Sequence, residues 1–135
     1  MDKHKYDFLI KEAQELVKKR YCKEGHHTVV AAALLANDGK VYTALNVGTY
    51  QPSISTCAEI ITIGMALRNN PDLKIEAIAC VRDNPPYIIS PCGKCREYIS
   101  DYSNNEAIVV VPDEKDEYAL VKVSELLPNK YVKKV

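Results

Sequence analysis

The chain has 135 residues, 47% of them hydrophobic and 27% charged, a composition ordinary for a globular protein and sufficient for one domain, residues 1–135. Because 18 basic and 18 acidic residues cancel, we expect neither nucleic acid nor a membrane surface as a partner. No apolar run reaches the roughly 18 residues of a membrane span, and an odd count of five cysteines argues against a disulfide framework, so we expect a cytoplasmic protein.

The first half of the chain predicts two helices separated by a strand hairpin. Residues 6–20 place apolar side chains at helical spacing. Two apolar runs, residues 29–36 and 41–47, enclose an Asn-Asp-Gly turn at residues 37–39, a combination typical of hairpins. Residues 56–69 predict a helix that is apolar almost all round, and we expect it to be buried on most sides and to contact other subunits.

The second half predicts one more helix among strands. Residues 75–81 are apolar enough for a central strand, and residues 83–87, with two prolines, predict a loop. A helix is predicted from Pro91 to about Tyr102, with Ser90 as its N-cap.

The last predicted strands are residues 108–111 and 118–123. The link between them is too short for a crossover, so they should pair antiparallel. The order α-β-β-α-β-α-β-β predicts an α/β fold, a three-layer α/β/α sandwich around a five-stranded mixed sheet.

Three cysteines and one glutamate carry the clearest chemical signal. Cys92 and Cys95 form a C-x-x-C pair, which can hold zinc or act as a redox dithiol. Cys57 supplies one further thiolate, and Glu59 follows it by two residues. Three protein ligands leave a tetrahedral zinc with an open position, as in catalytic sites. A carboxylate beside that position supplies the proton transfer that hydrolysis needs, so these residues predict a zinc hydrolase.

All three of these cysteines fall in the first turn of a predicted helix, where unpaired N–H groups and the helix dipole favour thiolates. Three thiolates on one Zn²⁺ sum to a charge of −1. We expect the helix N-termini together with Lys94 and Arg96 to offset that charge. Cys80, within a predicted strand, is interpreted as core packing.

Each of these residues also has a simpler interpretation. Glu59 lies three residues after Thr56 and could be the acidic member of a capping box. The C-x-x-C pair could be a thioredoxin-like dithiol, which would leave Cys57 and Glu59 without a role. A structural zinc site would take a fourth ligand from His26 or His27.

The motif pair resembles the zinc signature of the cytidine deaminase superfamily. It consists of Cys57, Ala58 and Glu59 followed by the Pro-Cys-Gly-Lys-Cys-Arg run of residues 91–96. Residues 32–47 are similar to the family's first hairpin, and residues 124–132 to the C-terminal segment of blasticidin-S deaminases. The resemblance implies the fold of the superfamily, one zinc ion per subunit and a homotetramer.

The resemblance also implies roles for individual residues. Cys57, Cys92 and Cys95 would bind the zinc ion, and Glu59 would shuttle protons during hydrolytic attack on C4 of a cytosine ring, leaving uracil and ammonia. The implied substrate-binding residues are Asn46, Thr28, Ala58, Ser90 and Tyr131, with Tyr50 and Tyr87 as alternatives to Tyr131 for an aromatic face.

Two departures from the family pattern bear on the substrate. Gly48 stands where the family carries the carboxylate that holds the ribose, and Thr28 stands opposite the family's stacking phenylalanine. We therefore expect a modified cytosine nucleoside such as blasticidin S, with ordinary cytidine or deoxycytidine as the alternative. A zinc-stabilised nucleoside-binding protein without catalysis is a third interpretation.

Overall fold

A computed structural model describes residues 2–19, 29–83 and 87–133. The helices within these ranges are α1 (Asp7–Lys19), α2 (Ala58–Asn69) and α3 (Gly93–Asp101). The strands are β1 (Val30–Ala36), β2 (Val41–Leu45), β3 (Ile75–Arg82), β4 (Tyr87–Ile89), β5 (Ile108–Pro112) and β6 (Tyr118–Lys122). Two short 3₁₀ turns occupy Pro52–Ile54 and Val123–Leu126.

The strands form one mixed sheet in the order β2-β1-β3-β5-β6, with β4 paired to β3. β3 and β5 are parallel, and the other pairs are antiparallel, including the predicted pair of β5 and β6. Among the described residues, the expected count of five strands is corrected to six, because β4 pairs with Cys80–Arg82. A strand of three residues next to two prolines is too short to give a periodic signal.

Helices cover both faces of the sheet, which confirms the α/β architecture. Side chains of a strand alternate between faces, and this alternation divides the core into two clusters. The first cluster packs α1 against one face, with Leu9, Ala13, Val17, Ala31, Ala33, Ala79 and Val81 among its members. The second packs α2 and α3 against the opposite face, with Ala32, Leu34, Ala58, Ile63, Ile78, Cys80 and Ile99 among its members.

Strand β1 is rich in alanine at the centre of this arrangement. Ala31, Ala32 and Ala33 are each 0% exposed. Because their side chains are single methyl groups, helices can approach the sheet closely on both sides. The face that bears Ala32 is the face that α2 covers.

Both site-bearing helices begin later than the sequence predicted. α2 begins at Ala58 with Cys57 as its N-cap, and α3 begins at Gly93 with Cys92 as its N-cap. The backbone of Cys92 is still extended, with φ −70° and ψ 169°, so the predicted start at Pro91 with Ser90 as the cap is wrong. Cys57 and Cys92 are therefore N-cap residues and not first-turn residues as predicted, whereas Cys95 lies in the first turn of α3 as predicted.

Helix α2 is buried along one face of the single chain, where Ala58, Ile63 and Ala66 pack on the sheet. The expectation that it would be buried on most sides is wrong for this chain alone, because Met65 is 50% exposed and Arg68 is exposed. Within the described ranges, no helix has the length and apolar character needed to cross a membrane.

Candidate active site

Two helix N-termini bring the three predicted metal ligands together. Cys57 and Cys92 are the N-cap residues of α2 and α3, and Cys95 lies in the first turn of α3. Neither N-cap side chain makes a capping hydrogen bond. The sulfur atoms of the three cysteines all lie within 4.8 Å of one another.

The spacing of these sulfur atoms fits a zinc ion. Zinc–sulfur bonds of about 2.3 Å in a tetrahedron place the sulfur atoms about 3.8 Å apart, which agrees with three sulfur atoms that all lie within 4.8 Å of one another. Thiolates are the soft ligands that select zinc over magnesium or calcium. Among residues 2–19, 29–83 and 87–133, no other group of three His, Cys, Asp or Glu side chains meets the same criterion.

The thiols differ in how readily they lose a proton. Burial raises the pKa of Cys57, and the neighbouring charges of Cys92 and Glu59 add to the shift. Burial also raises the pKa of Cys95, again with contributions from Glu59 and Cys57. Burial also favours a higher pKa for Cys92. The hydrogen bonds that Cys92 receives from the backbone and thiol of Cys95 and from the Cys57 thiol outweigh burial, and the pKa of Cys92 is lowered. Of the three, only the Cys92 thiol thus has its pKa lowered by the protein itself, and a coordinated cation would favour the thiolate form of all three.

A cavity of about 190 Å³ opens beside these sulfur atoms. It is lined by Val30, Asn46, Ser55, Thr56, Cys57, Ala58, Glu59, Ile89, Ser90 and Cys92. Typical pockets for drug-sized ligands measure roughly 300–1,000 Å³. The cavity therefore suits a group the size of a nucleobase, and the rest of a larger ligand would extend past its mouth.

Glu59 lines this cavity, and the residue is 4% exposed. Glu59 is the second residue of α2, so its backbone lies close to the Cys57 ligand position. The thiol of Cys80 donates a hydrogen bond to its carboxylate. Burial first, and then the charge of Glu59 with this hydrogen bond, raise the pKa of Cys80 well above its ordinary value. Cys80 is thus buried in the core as predicted, and it also contacts the predicted proton shuttle.

Asn46 is held in place at the wall of the cavity. The side-chain Oδ1 of Asn46 accepts a hydrogen bond of 2.9 Å from the backbone N–H of Val30. The backbone N–H of Asn46 donates to the Val30 carbonyl at 2.9 Å. Asn46 is 8% exposed, so the pair of bonds fixes the amide beside the cavity. Ala58 and Ser90, also predicted as substrate-binding residues, line the same cavity.

The remaining predicted site residues lie elsewhere or at the edge of the site. Lys94 is exposed on α3. Arg96 donates its side-chain hydrogen bonds to oxygen atoms of residues 90, 91 and 126. Tyr131 is 76% exposed and is not part of the cavity lining. Thr28, together with residues 26 and 27, lies outside the described residues.

Several cavity residues escaped the sequence analysis. Val30 and Ile89 are apolar wall residues, and Ser55 and Thr56 belong to the segment before α2. An apolar residue carries no sign in the sequence that it lines a cavity. For Ile89, its position directly before the motif of residues 90–95 was the one available indication. The capping-box interpretation of Thr56 is wrong, because Cys57 is the N-cap of α2.

A family model described as the cytidine and deoxycytidylate deaminase zinc-binding region matches residues 3–111. Among curated proteins, the chain is 33% identical over 134 residues to a blasticidin-S deaminase from Bacillus cereus, covering 93% of this chain and 91% of the relative. It is also 33% identical over 104 residues to a cytidine deaminase from Sporosarcina psychrophila, covering 77% of this chain and 75% of the relative.

Solved structures agree with these sequence relatives. The fold is similar to that of a cytidine deaminase from Mycobacterium leprae, with a TM-score of 0.77 and 27% identity over 93% of this chain and 98% of the other. It is also similar to a cytidine deaminase from Burkholderia pseudomallei, with a TM-score of 0.76 and 28% identity over 93% of this chain and 98% of the other.

Proposed function

The chain belongs to the cytidine and deoxycytidylate deaminase family of zinc enzymes, and from this premise we propose that it deaminates a modified cytosine nucleoside of the blasticidin S type. The reaction class is hydrolytic deamination of the cytosine amino group with one zinc ion per subunit. The single observation that carries the substrate proposal is the match to the blasticidin-S deaminase, which combines 33% identity with coverage of 93% of this chain.

We assign the zinc ligands and the proton shuttle by their geometry. Cys57, Cys92 and Cys95 offer three converging sulfur atoms, and the buried Glu59 carboxylate lies in the adjacent cavity. A bound zinc ion acts as a Lewis acid that activates water for attack. Four protein ligands would close the coordination sphere, whereas three leave room for water and substrate.

The chain's own residues account for the proton transfers. Glu59 accepts the proton of the attacking water and delivers it to the ring nitrogen N3 as oxygen adds to C4 of the base. Glu59 then takes the second proton of that water, from the hydroxyl group now on C4, and transfers it to the departing amine as the C4–N bond breaks and the C4 carbonyl forms. Water and a cytosine nucleoside are thereby converted to a uracil nucleoside and ammonia. The low exposure of Glu59, at 4%, keeps bulk water away from this exchange.

The base is held by groups that line the cavity. The backbone N–H of Ala58 lies in the first turn of α2, where helical N–H groups have no intrahelical partner and can bind a carbonyl oxygen of the substrate. The amide of Asn46 is fixed by Val30 and provides a polar contact for the sugar. Because the cavity measures about 190 Å³, we place the substituents of a larger nucleoside beyond its mouth.

Deamination of cytidine or deoxycytidine is the second candidate. The cytidine deaminase structures from Mycobacterium leprae and Burkholderia pseudomallei, with TM-scores of 0.77 and 0.76, favour it. Steady-state assays with blasticidin S, cytidine and deoxycytidine at equal zinc occupancy separate the two. We expect the highest kcat/KM for blasticidin S. Turnover of cytidine without turnover of blasticidin S would reject this preference.

A Glu59→Gln variant links the turnover to the assigned residue. Gln keeps the size of the side chain and removes the proton-transferring group, so we expect kcat to fall by about 10²–10⁴-fold. The zinc content of the variant, measured in the same preparation, should match that of the parent. Wild-type turnover in this variant would remove Glu59 from the mechanism.

We also propose a homotetramer that works in the cytoplasm. Large apolar side chains lie exposed on the single chain, among them Val47 at 54%, Ile54 at 66% and Met65 at 50%, and subunit contacts would cover them. Cys57, Cys80, Cys92 and Cys95 are all free thiols, the state that a reducing compartment maintains. Light scattering of the purified protein tests the assembly, and a monomer would reject it.

A further inference from the structure

Arg96 makes three side-chain hydrogen bonds that radiate from one guanidinium group. Its Nε donates to the Pro91 carbonyl at 2.8 Å, its Nη2 to Ser90 Oγ at 3.1 Å and its Nη1 to the Leu126 carbonyl at 3.1 Å. The side chain is half-buried. A guanidinium group presents its donors in a rigid planar fork, so these three bonds fix the relative positions of their acceptors.

Two of the acceptors belong to the segment that carries a zinc ligand. Ser90 and Pro91 lie directly before Cys92, and Ser90 and Cys92 both line the cavity. This segment connects β4 to α3 and has no regular structure at residues 90–92. Its backbone position therefore depends on the side chains that bind it.

The third acceptor belongs to a well-anchored part of the fold. Leu126 ends the second 3₁₀ turn, and the first residue of that turn, Val123, is 0% exposed. The Val123 N–H donates at 2.8 Å to the carbonyl of Ala107, the residue directly before β5. The C-terminal turn is thus attached to the sheet, and Arg96 extends this attachment to the segment that carries Cys92.

We infer that Arg96 is a positioning residue of the zinc site, which holds the Cys92 segment against the C-terminal 3₁₀ turn so that the three sulfur atoms converge. The inference rests on the proposed zinc site. It assigns Arg96 the positioning of the Cys92 segment, in addition to the charge compensation expected from its sequence position. Its three hydrogen bonds go to oxygen atoms of residues 90, 91 and 126. Lys94, the other cation of α3 near the sulfur atoms, is exposed and serves as the comparison for a purely electrostatic role.

Zinc affinity, measured by competition with a chromophoric chelator, tests this role without any substrate. In Arg96→Gln we expect the affinity to fall by about 10- to 100-fold, the cost typical of losing a group that orients a metal ligand. Arg96→Lys keeps the charge and loses the fork, so we expect a loss of similar size. Ser90→Ala removes one of the three bonds and should give a smaller loss. Arg68→Gln removes an equal charge from an exposed position on α2 and should leave the affinity unchanged.

The outcomes separate positioning from charge and from general stability. An Arg96→Lys variant with wild-type affinity, or a Lys94→Gln variant that loses as much affinity as Arg96→Gln, would overturn the inference in favour of charge compensation. A lower melting temperature of the metal-free Arg96→Gln protein with an unchanged zinc affinity would reduce Arg96 to a structural residue. Circular dichroism on each metal-free variant verifies that it is folded at the assay temperature.

The zinc measurement also keeps this inference distinct from the proposed function. Inactivity of the zinc-loaded wild type on every cytosine nucleoside would reject the proposed function and leave the ranking of zinc affinities intact. If the wild type deaminates its substrate but all variants bind zinc with equal affinity, the positioning role of Arg96 is rejected and the proposed function is retained.

Discussion

Enlarging Ala32 to valine tests whether the closeness of α2 to the sheet sets the geometry of the site. Ala32 is 0% exposed on the face that α2 covers. It is directly opposite Cys80 on β3, and the Cys80 thiol contacts the Glu59 carboxylate. Two added methyl groups at this position push against α2, the helix whose N-terminus bears Cys57 and Glu59.

The magnitude follows from the packing. Extra methyl groups in a well-packed core cost about 1–3 kcal/mol. For a chain of this size, each kcal/mol corresponds to roughly 4 °C in melting temperature, so we expect Ala32→Val to melt about 4–12 °C lower. A misplacement of catalytic groups by about 1 Å can cost about 100-fold in rate. We therefore expect kcat/KM of Ala32→Val to fall at least about 10-fold at a temperature where it is fully folded.

Ala33→Val is the matched control. Ala33 is also 0% exposed and is the next residue of the same strand, but its side chain faces α1 in the other core cluster. Its melting temperature should fall by a similar amount, with kcat/KM within about threefold of the parent. Equal losses of kcat/KM in the two folded variants would refute the reasoning, because the site would then depend on overall stability alone.

Three further outcomes follow from the structure. Removing zinc with a chelator should lower the melting temperature, since zinc at 100 times its dissociation constant stabilises the folded protein by about 2.7 kcal/mol; an unchanged melting temperature would contradict the site. Burial and the hydrogen bond to Asp7 raise the pKa of Tyr118 to about 12, so its contribution to stability is complete below pH 10 and disappears as pH rises through 12. Urea denaturation at several pH values should show a smaller alkaline loss of unfolding free energy in Tyr118→Phe than in the parent. Equal losses in the two proteins would contradict the assigned role of Tyr118. Asn46→Ala removes the acceptor of the buried Val30 N–H and should cost about 1–3 kcal/mol in the free energy of unfolding, which a loss below about 0.5 kcal/mol would contradict.

The candidate metal site could be predicted from the sequence because coordination chemistry restricts both residue type and spacing. Cys57 and the C-x-x-C pair of Cys92 and Cys95 supply three thiolates, a ligand set that suits a zinc ion with an open position. Glu59 was assigned as the proton shuttle because it lies two residues after one of these cysteines. The periodicity of the chain likewise predicted the helices and five of the six strands. These features are local, so a single sequence contains them.

Features that depend on tertiary contacts were not predictable in the same way. Strand β4 exists because Cys80–Arg82 offers it an edge, and its three residues alone predict nothing. Ser90 has the chemistry of an N-cap, yet its hydroxyl accepts from Arg96 and the helix begins later. The contact between Cys80 and Glu59 joins a strand to a helix across the core, a relation that spacing along the chain does not encode.

The placement of the sulfur atoms on two helices has a consequence for how the protein matures. Cys57 precedes β3 and β4, whereas Cys92 and Cys95 follow them, so these strands separate the sulfur atoms along the chain and the folded structure is what brings them together. A site that does not exist in the unfolded chain cannot capture its ion early. Tight zinc binding by all three sulfur atoms therefore depends on the folded positions of α2 and α3, and unfolding that separates these helices would release the ion.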